Sequence, residues 1–184
     1  LEPSSAASDV YKRQDRGIKA ILNLRGFTQQ SYALFEEDSC KNLGLDFISV
    51  PFSGSSAPQP EKLLEIIDLM DKIPKPFVLH CKSGADRAGL VSAMYLIVQK
   101  KLSVTEAKKQ LSFKYLHLDF TKTGILDYIL DVFSQRLKIE NIDFLDWVKR
   151  EYDAEILNSS FKSRIEWKTT ARDLMEFSNA KNKR

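Results

Sequence analysis

The stretch Val78–Gly89 (VLHCKSGADRAG) constrains this chain more than any other. Phe77, Val78 and Leu79 supply a short apolar run of the kind that forms a buried strand. Gly84 lets the backbone turn back on itself, and Arg87 opens the apolar segment from Leu90 to Val98, which reads as a helix. A loop that runs into a helix points several unpaired backbone N–H groups at one spot, beside the positive end of the helix dipole. Such a spot binds a phosphate dianion. Cys81 stands at the mouth of the loop, in a field that favours the nucleophilic thiolate. Arg87, six residues on, can return a planar fork to two phosphate oxygens, which lysine does less well. The competing reading of these residues is a buried structural cysteine before a helix.

The pattern His80-Cys81-x-x-Gly84-x-x-Arg87 resembles the signature of the cysteine-dependent phosphatases, most closely the small bacterial members of the dual-specificity (tyrosine and serine/threonine) group. The stretch from Gly17 to Arg25 (GIKAILNLR) is also similar to one that such phosphatases carry before their second helix. The resemblance implies that Cys81 is the nucleophile and that Arg87 holds the phosphoryl group together with the loop residues Lys82, Ser83, Gly84, Ala85 and Asp86. It further implies that His80 braces the loop behind the cysteine, and that the chemistry needs no metal and no other cofactor.

Two departures from the family bear on mechanism. Most relatives place a general-acid aspartate on the loop after the strand preceding the signature strand. Here that loop, Pro51–Pro58 (PFSGSSAP), holds no carboxylate. Asp46 falls inside a strand and Glu61 at the start of a helix, so neither is well placed. A leaving oxygen needs a proton unless its own pKa is low. Asp86 is the remaining candidate, in a slot where myotubularin-like lipid phosphatases have an aspartate proposed as the acid. Alternatively Asp86 only braces Arg87 and the loop, or no protein acid acts and aryl phosphates are favoured. The second departure is Ala88, where relatives usually have a serine or threonine whose hydroxyl eases breakdown of the cysteinyl-phosphate. Turnover of the intermediate is then slower, or Ser83 or Ser92 substitutes.

Other side chains carry less. Lys82 puts a charge near the pocket that would favour polyanionic substrates, or is a solvated loop lysine. Lys114, Tyr115 and His117 read as a half-buried turn rather than a pocket wall. Arg25 either binds phosphate or caps a strand, and Cys40 reads as a helix core residue rather than a redox partner for Cys81.

Along the chain, Ile18–Leu24 and Leu45–Val50 read as strands and Phe77–Leu79 as the central one. Gln29–Leu43 reads as a helix with Tyr32, Leu34, Phe35 and Leu43 towards the core and Gly44 as its C-cap. Glu61–Ile73, Arg87–Lys101, a helix opened by the Ser103-x-x-Glu106 capping box, Thr121–Ile139 and Asn141–Tyr152 follow. Strands alternating with helices give an α/β fold, a central mostly parallel sheet flanked by helices, with extra C-terminal helices. Ligands of such sheets bind beyond the C-terminal strand ends, where Cys81 falls. Leu1–Gln14 (LEPSSAASDVYKRQ) reads as a translated adaptor sequence or a disordered arm, residues 15–160 as the phosphatase domain, and 161–184 as a helical extension with a basic tail. In that extension Trp167, Leu174, Met175 and Phe177 would dock, and Lys181, Lys183 and Arg184 would fray.

The composition, 43% hydrophobic and 29% charged over 184 residues with a net charge of +3, is that of an ordinary globular chain. It suits an anionic substrate and shows no basic-aromatic stripe for nucleic acid. Two cysteines make no disulfide scaffold and favour a reducing, cytoplasmic setting, and no apolar run is long enough to cross a bilayer. The expected activity is hydrolysis of phosphomonoesters through a cysteinyl-phosphate, foremost on phosphotyrosine in proteins with dual specificity open. The alternatives are a phospholipid or inositol phosphate phosphatase and, from a different class, a non-catalytic phosphate-binding module.

Overall fold

Three short parallel strands, β1 (Ala20–Asn23), β2 (Asp46–Ser49) and β3 (Phe77–His80), form a sheet in the order β2-β1-β3. This computed structural model describes residues 17–25, 31–115, 117–118 and 121–164. Residues 1–14, the side chain of Tyr32 and the tail with Trp167, Leu174, Met175, Phe177, Lys181, Lys183 and Arg184 lie outside them. Among the described strands β1 is in the middle, not β3 as the sequence suggests. The apolar run Ala20–Leu24 is fully buried, as a strand covered on both faces must be. The register pairs Leu22 with Ile48 and Leu79, and Asn23 with Ser49 and His80.

Helices join and cover the strands. They are α1 (Ser31–Asn42), α2 (Pro60–Lys72), α3 (Asp86–Val98), α4 (Val104–Lys108), α5 (Ile125–Leu137) and α6 (Phe144–Arg150), and residues 154–164 are helical as well. Several have a local cause. Gly44, with φ of +66°, stops α1 in the left-handed conformation that glycine tolerates. Pro60 starts α2, where its missing N–H costs nothing. Ser103 Oγ accepts from Glu106 N at 3.2 Å, the capping contact expected for α4, which runs to Lys108 and not to Gln110 as the sequence suggests. Asp143 caps α6 by accepting from Leu145 N at 2.8 Å.

Most of the buried side chains form one core between the sheet, α2, α3, α5 and α6. Phe133, Phe144, Trp147 and Tyr152 stack there in edge and tilted contacts with centroids 4.9–5.7 Å apart. Ile21, Cys40 and Leu45 form a smaller cluster on the other face of the sheet, so Cys40 is a core residue as read. The inward placing of Leu34 and Phe35 is overturned: they are 43% and 69% exposed. The reason is that α1 is weakly amphipathic and turns Cys40 near its end, followed by Leu43 just past it, rather than Leu34 and Phe35, towards β1 and β2.

Two features fix the surroundings of the signature stretch. The first is Gly89 in α3, where a Cβ would meet Leu111 Cδ2 at 2.7 Å and the Gln110 carbonyl oxygen at 2.8 Å. The chain after α4 therefore lies directly on the start of α3. The second is a pair of clamps on Pro51–Pro58. Tyr152 donates its buried hydroxyl to the Pro58 carbonyl at 2.7 Å, and Asn158 Oδ1 accepts from Ala57 N at 2.9 Å. Burial, with the Asp153 charge adding to it, holds the Tyr152 phenol far above its ordinary pKa, so the group stays a donor.

Two stability measurements follow from this packing. Gly89→Ala would gain up to ~1 kcal/mol in an open helix, but here the crowding reverses the sign, and a loss of about 1–3 kcal/mol is expected in urea unfolding. Tyr152→Phe is expected to cost about 1–3 kcal/mol, because it strands a buried carbonyl. The same variant should speed amide exchange in 51–58, and unchanged exchange there would show that the clamp does not hold the loop.

Candidate active site

The signature loop is built at the carboxyl end of the sheet from the ends of β1 and β3. Leu24 N donates to the His80 carbonyl at 2.9 Å, and the Leu24 carbonyl accepts from Arg87 Nη1 at 3.1 Å. One residue just past β1 thus holds both sides of the loop. Asn23, buried beside it, accepts at its side-chain oxygen from Arg25 N at 2.9 Å, and its carbonyl accepts from Val50 N at 2.9 Å. The polar side chain inside the strand shapes the turn that presents Leu24.

Cys81 follows β3 directly and is 7% exposed. Lys82, Ser83 and Gly84 are exposed, and Gly84 has φ of +75°, which requires glycine or strain. Ala85 and Ala88 are buried. Asp86 opens α3, and Gly89 N closes the first helical bond on the Ala85 carbonyl at 2.9 Å. The structure therefore brings Cys81, Asp86 and Arg87 to one loop at a helix start, the arrangement expected of the motif.

Arg87 is braced rather than dangling. Its Nη1 donates to the carbonyls of Leu24 at 3.1 Å and Phe52 at 3.4 Å. Nε and Nη2 carry no hydrogen bond among the described residues. A fork held by one nitrogen from two sides keeps donors free for an oxyanion and needs little reorganisation. Gly54 lies over its stem, where a Cβ would sit 3.7 Å from Arg87 Cγ.

His80 lies behind the loop, 18% exposed, with Nδ1 3.3 Å from the Cys81 carbonyl. Its Nε2 is 3.0 Å from Glu36 Oε1 of α1, close enough for an ion pair though out of line for a hydrogen bond. Glu36 was not singled out by sequence, since a helix glutamate carries no local signal of such a partner.

The larger surprise is His117. Lys114 and Tyr115 are exposed, but the His117 side chain is 1% exposed, and its Nδ1 lies 2.8 Å from Asp86 Oδ1. The half-buried turn expected for these three residues is thus two different environments. The only hint in the sequence is that the chain has just two histidines, one of them in the signature. Behind His117 lies Asp127 of α5, buried and 3.3 Å from Lys108 Nζ, which also bonds Asp131. Burial pushes the Asp127 carboxyl up from its ordinary pKa, and the Lys108 ammonium opposes that. For Lys108, burial lowers the pKa, but the bond to Asp131 and the charges of Asp127 and Asp131 outweigh it, and the net shift is upward.

Ser92, a possible substitute for the missing hydroxyl at position 88, lines a cavity of about 600 Å³ with Phe77, Leu79 and Tyr95, and Cys81 does not border that cavity. No group of three or more His, Cys, Asp or Glu among the described residues converges as a metal site, and no described helix is long and apolar enough to cross a membrane.

The model of the family described as "Polymorphic toxin system, DSP-PTPase phosphatase" matches residues 2–101. That span contains the whole signature loop and stops short of His117. No curated protein matches by sequence. Among solved structures, TpbA of P. aeruginosa is 21% identical over 73% of this chain and 81% of its own, with a TM-score of 0.52. TpbA has also been solved in complex with pTyr. Kinase associated phosphatase is 18% identical over 70% of this chain and 77% of its own, with a TM-score of 0.54. The core catalytic domain of the PP-IP phosphatase SIW14 of S. cerevisiae is 15% identical over 78% of this chain and 88% of its own, with a TM-score of 0.50. At these identities the likeness is one of fold, and more than half of the chain matches the family itself: it belongs to the polymorphic-toxin DSP-PTPase phosphatases and is a cysteine-based phosphatase of the dual-specificity and tyrosine phosphatase superfamily.

Proposed function

We propose that this chain hydrolyses phosphotyrosine in proteins, with phosphoserine and phosphothreonine as further substrates, through a phosphate ester of Cys81. The observation that carries the reading is the loop from Cys81 to Arg87, tied at both ends to Leu24, with the Arg87 fork braced and its remaining donors free. In the first step the Cys81 thiolate attacks phosphorus in line. The amides of Lys82–Arg87 and the guanidinium stabilise charge on the equatorial oxygens. Asp86, the one carboxylate in the loop, gives its proton to the leaving oxygen as the phosphorus–oxygen bond breaks. In the second step Asp86 takes a proton from the water that attacks the cysteinyl-phosphate, and the thiolate leaves. His80 serves by holding the Cys81 carbonyl from behind.

The phosphotyrosine reading draws support from the fold shared with TpbA, which has been solved with pTyr. A second reading, an inositol phosphate or phospholipid as substrate, draws on exposed Lys82 and in-loop Asp86 and on the likeness to SIW14. Rates on phosphotyrosyl peptides against soluble inositol phosphates and phosphoinositide vesicles separate the two.

Hydrolysis of p-nitrophenyl phosphate without added metal tests the chemistry. Wild type should turn over and Cys81→Ser should fall to background. Inactive wild type would favour a phosphate-binding module instead. Asp86→Asn should lose the basic limb of the pH profile and lower kcat/KM for phenyl phosphate, whose leaving group needs a proton, by roughly 100-fold or more. An unchanged profile and unchanged phenyl phosphate rate would end the assignment of Asp86 as acid.

Ala88 is buried in the first turn of α3. If a hydroxyl there eases breakdown of the cysteinyl-phosphate, as the family resemblance implies, Ala88→Ser should raise kcat with kcat/KM unchanged and shrink any burst of nitrophenol. Unchanged turnover would show that breakdown of the intermediate does not wait for that hydroxyl.

A further inference from the structure

We propose that His117 is a positioning residue for the reaction. Its imidazole holds the Asp86 carboxyl in the orientation that serves the leaving oxygen, and its hydrogen bond stabilises the carboxylate left when the proton departs. The proposal rests on Asp86 being the acid, as argued above.

Four observations carry it. His117 Nδ1 lies 2.8 Å from Asp86 Oδ1, and Oδ2 has no hydrogen-bond partner among the described residues. The ring is 1% exposed while the Asp86 side chain is 25% exposed, so the contact is made from the protein side and leaves the carboxyl open to solvent. His117 Nε2 is buried with no hydrogen-bond partner among the described residues. A histidine kept only for packing would leave neither nitrogen unsatisfied, because an unpaired buried polar atom costs free energy. Lastly, the segment is held from both sides. His117 N donates to the Ser112 carbonyl at 3.2 Å, and Leu111, one residue earlier, occupies the space that Gly89 leaves in α3. The ring is thus locked to the same helix start that carries Asp86.

The proton balance is simple. His117 Nδ1–H donates to Asp86 Oδ1, and Oδ2 carries the transferable proton. When the phosphorus–oxygen bond breaks, that proton goes to the leaving oxygen while the Cys81 sulfur–phosphorus bond forms. The bond from Nδ1–H then falls on a charged acceptor and strengthens, so it favours the transition state over the ground state. In the second step the carboxylate regains a proton from the attacking water, and the sulfur–phosphorus bond breaks. His117 keeps its proton throughout. The charged groups around it are Asp86 of α3 and Asp127 of α5, and Lys108 of α4 offsets Asp127.

The test compares kcat/KM across pH for phenyl phosphate and for dinitrophenyl phosphate, whose leaving group departs without a proton. Wild type, Asp86→Asn, His117→Ala, His117→Asn and the double variant Asp86→Asn/His117→Ala are measured, each with its thermal midpoint. His117→Ala should lower the phenyl phosphate rate by roughly 10–100-fold, part of the ~100-fold or more that a positioned acid supplies, and should spare dinitrophenyl phosphate. His117→Asn, whose amide nitrogen can stand in for Nδ1, should recover most of the loss, and it also serves if the alanine variant does not fold. The double variant should be no slower than Asp86→Asn. The proposal is overturned if Asp86→Asn changes the leaving-group dependence while His117→Ala and His117→Asn leave it as in wild type. It is equally overturned if the two losses simply multiply. Should Asp86→Asn itself leave profile and leaving-group dependence unchanged, the acid reading falls, and this inference falls with it.

Discussion

The site depends on the backbone of Leu24. Its N–H holds the carbonyl of His80 just before the nucleophile position, and its carbonyl holds the guanidinium of Arg87 at the far side of the loop. A loop of five residues between a strand and a helix has many conformations, and closing it costs entropy. Tying both ends to one buried peptide selects the conformation in which the amides converge. The peptide is itself fixed, because Leu24 is fully buried and Asn23 before it pairs with Val50 and with Arg25 N. The anion site is thus an extension of sheet hydrogen bonding.

The second wall is held from farther along the chain. Pro51–Pro58 leaves β2 and passes over Arg87, where the Phe52 carbonyl accepts from Nη1. Its other end is clamped by Tyr152 and Asn158, about a hundred residues later in sequence. These clamps give the C-terminal helices a role beyond covering α3 and α5. Arg87 is the point where the two systems meet, since its one nitrogen bonds both β1 and the clamped loop.

Much of this was legible in the sequence, and the reasons are local. Glycine at 84, the apolar run before Cys81, Gly44 after α1 and Ser103 before α4 each act within a few residues, and each stands where expected. What could not be read depends on contacts distant in sequence. His117 pairs with Asp86 and Tyr152 with Pro58 across 31 and 94 residues. Neither contact leaves a mark in nearby residues. The first turn of α1 misled for a different reason: Leu34 and Phe35 look like a core face, but the sheet already has Cys40 and Leu43 against it. The middle place of β1 was equally hidden, because strand order follows from crossovers and not from the strands' own composition.

The absence of a carboxylate from Pro51–Pro58 fits the way that loop is held. Three bonds, from Arg87, Asn158 and Tyr152, fasten it near both ends, and Gly54 presents no side chain where it crosses the Arg87 stem. A general acid carried on a separate loop depends on that loop's position for its distance to the leaving oxygen. Under the proposed mechanism the acid instead sits one residue before Arg87, at a fixed place relative to Cys81, and no loop needs to move to deliver it. What the site then requires is that the Asp86 carboxyl keep one orientation. A buried histidine with Nδ1 on Asp86, and with charge-paired Asp127 behind it, holds that carboxyl from the protein side and leaves its open face to the substrate.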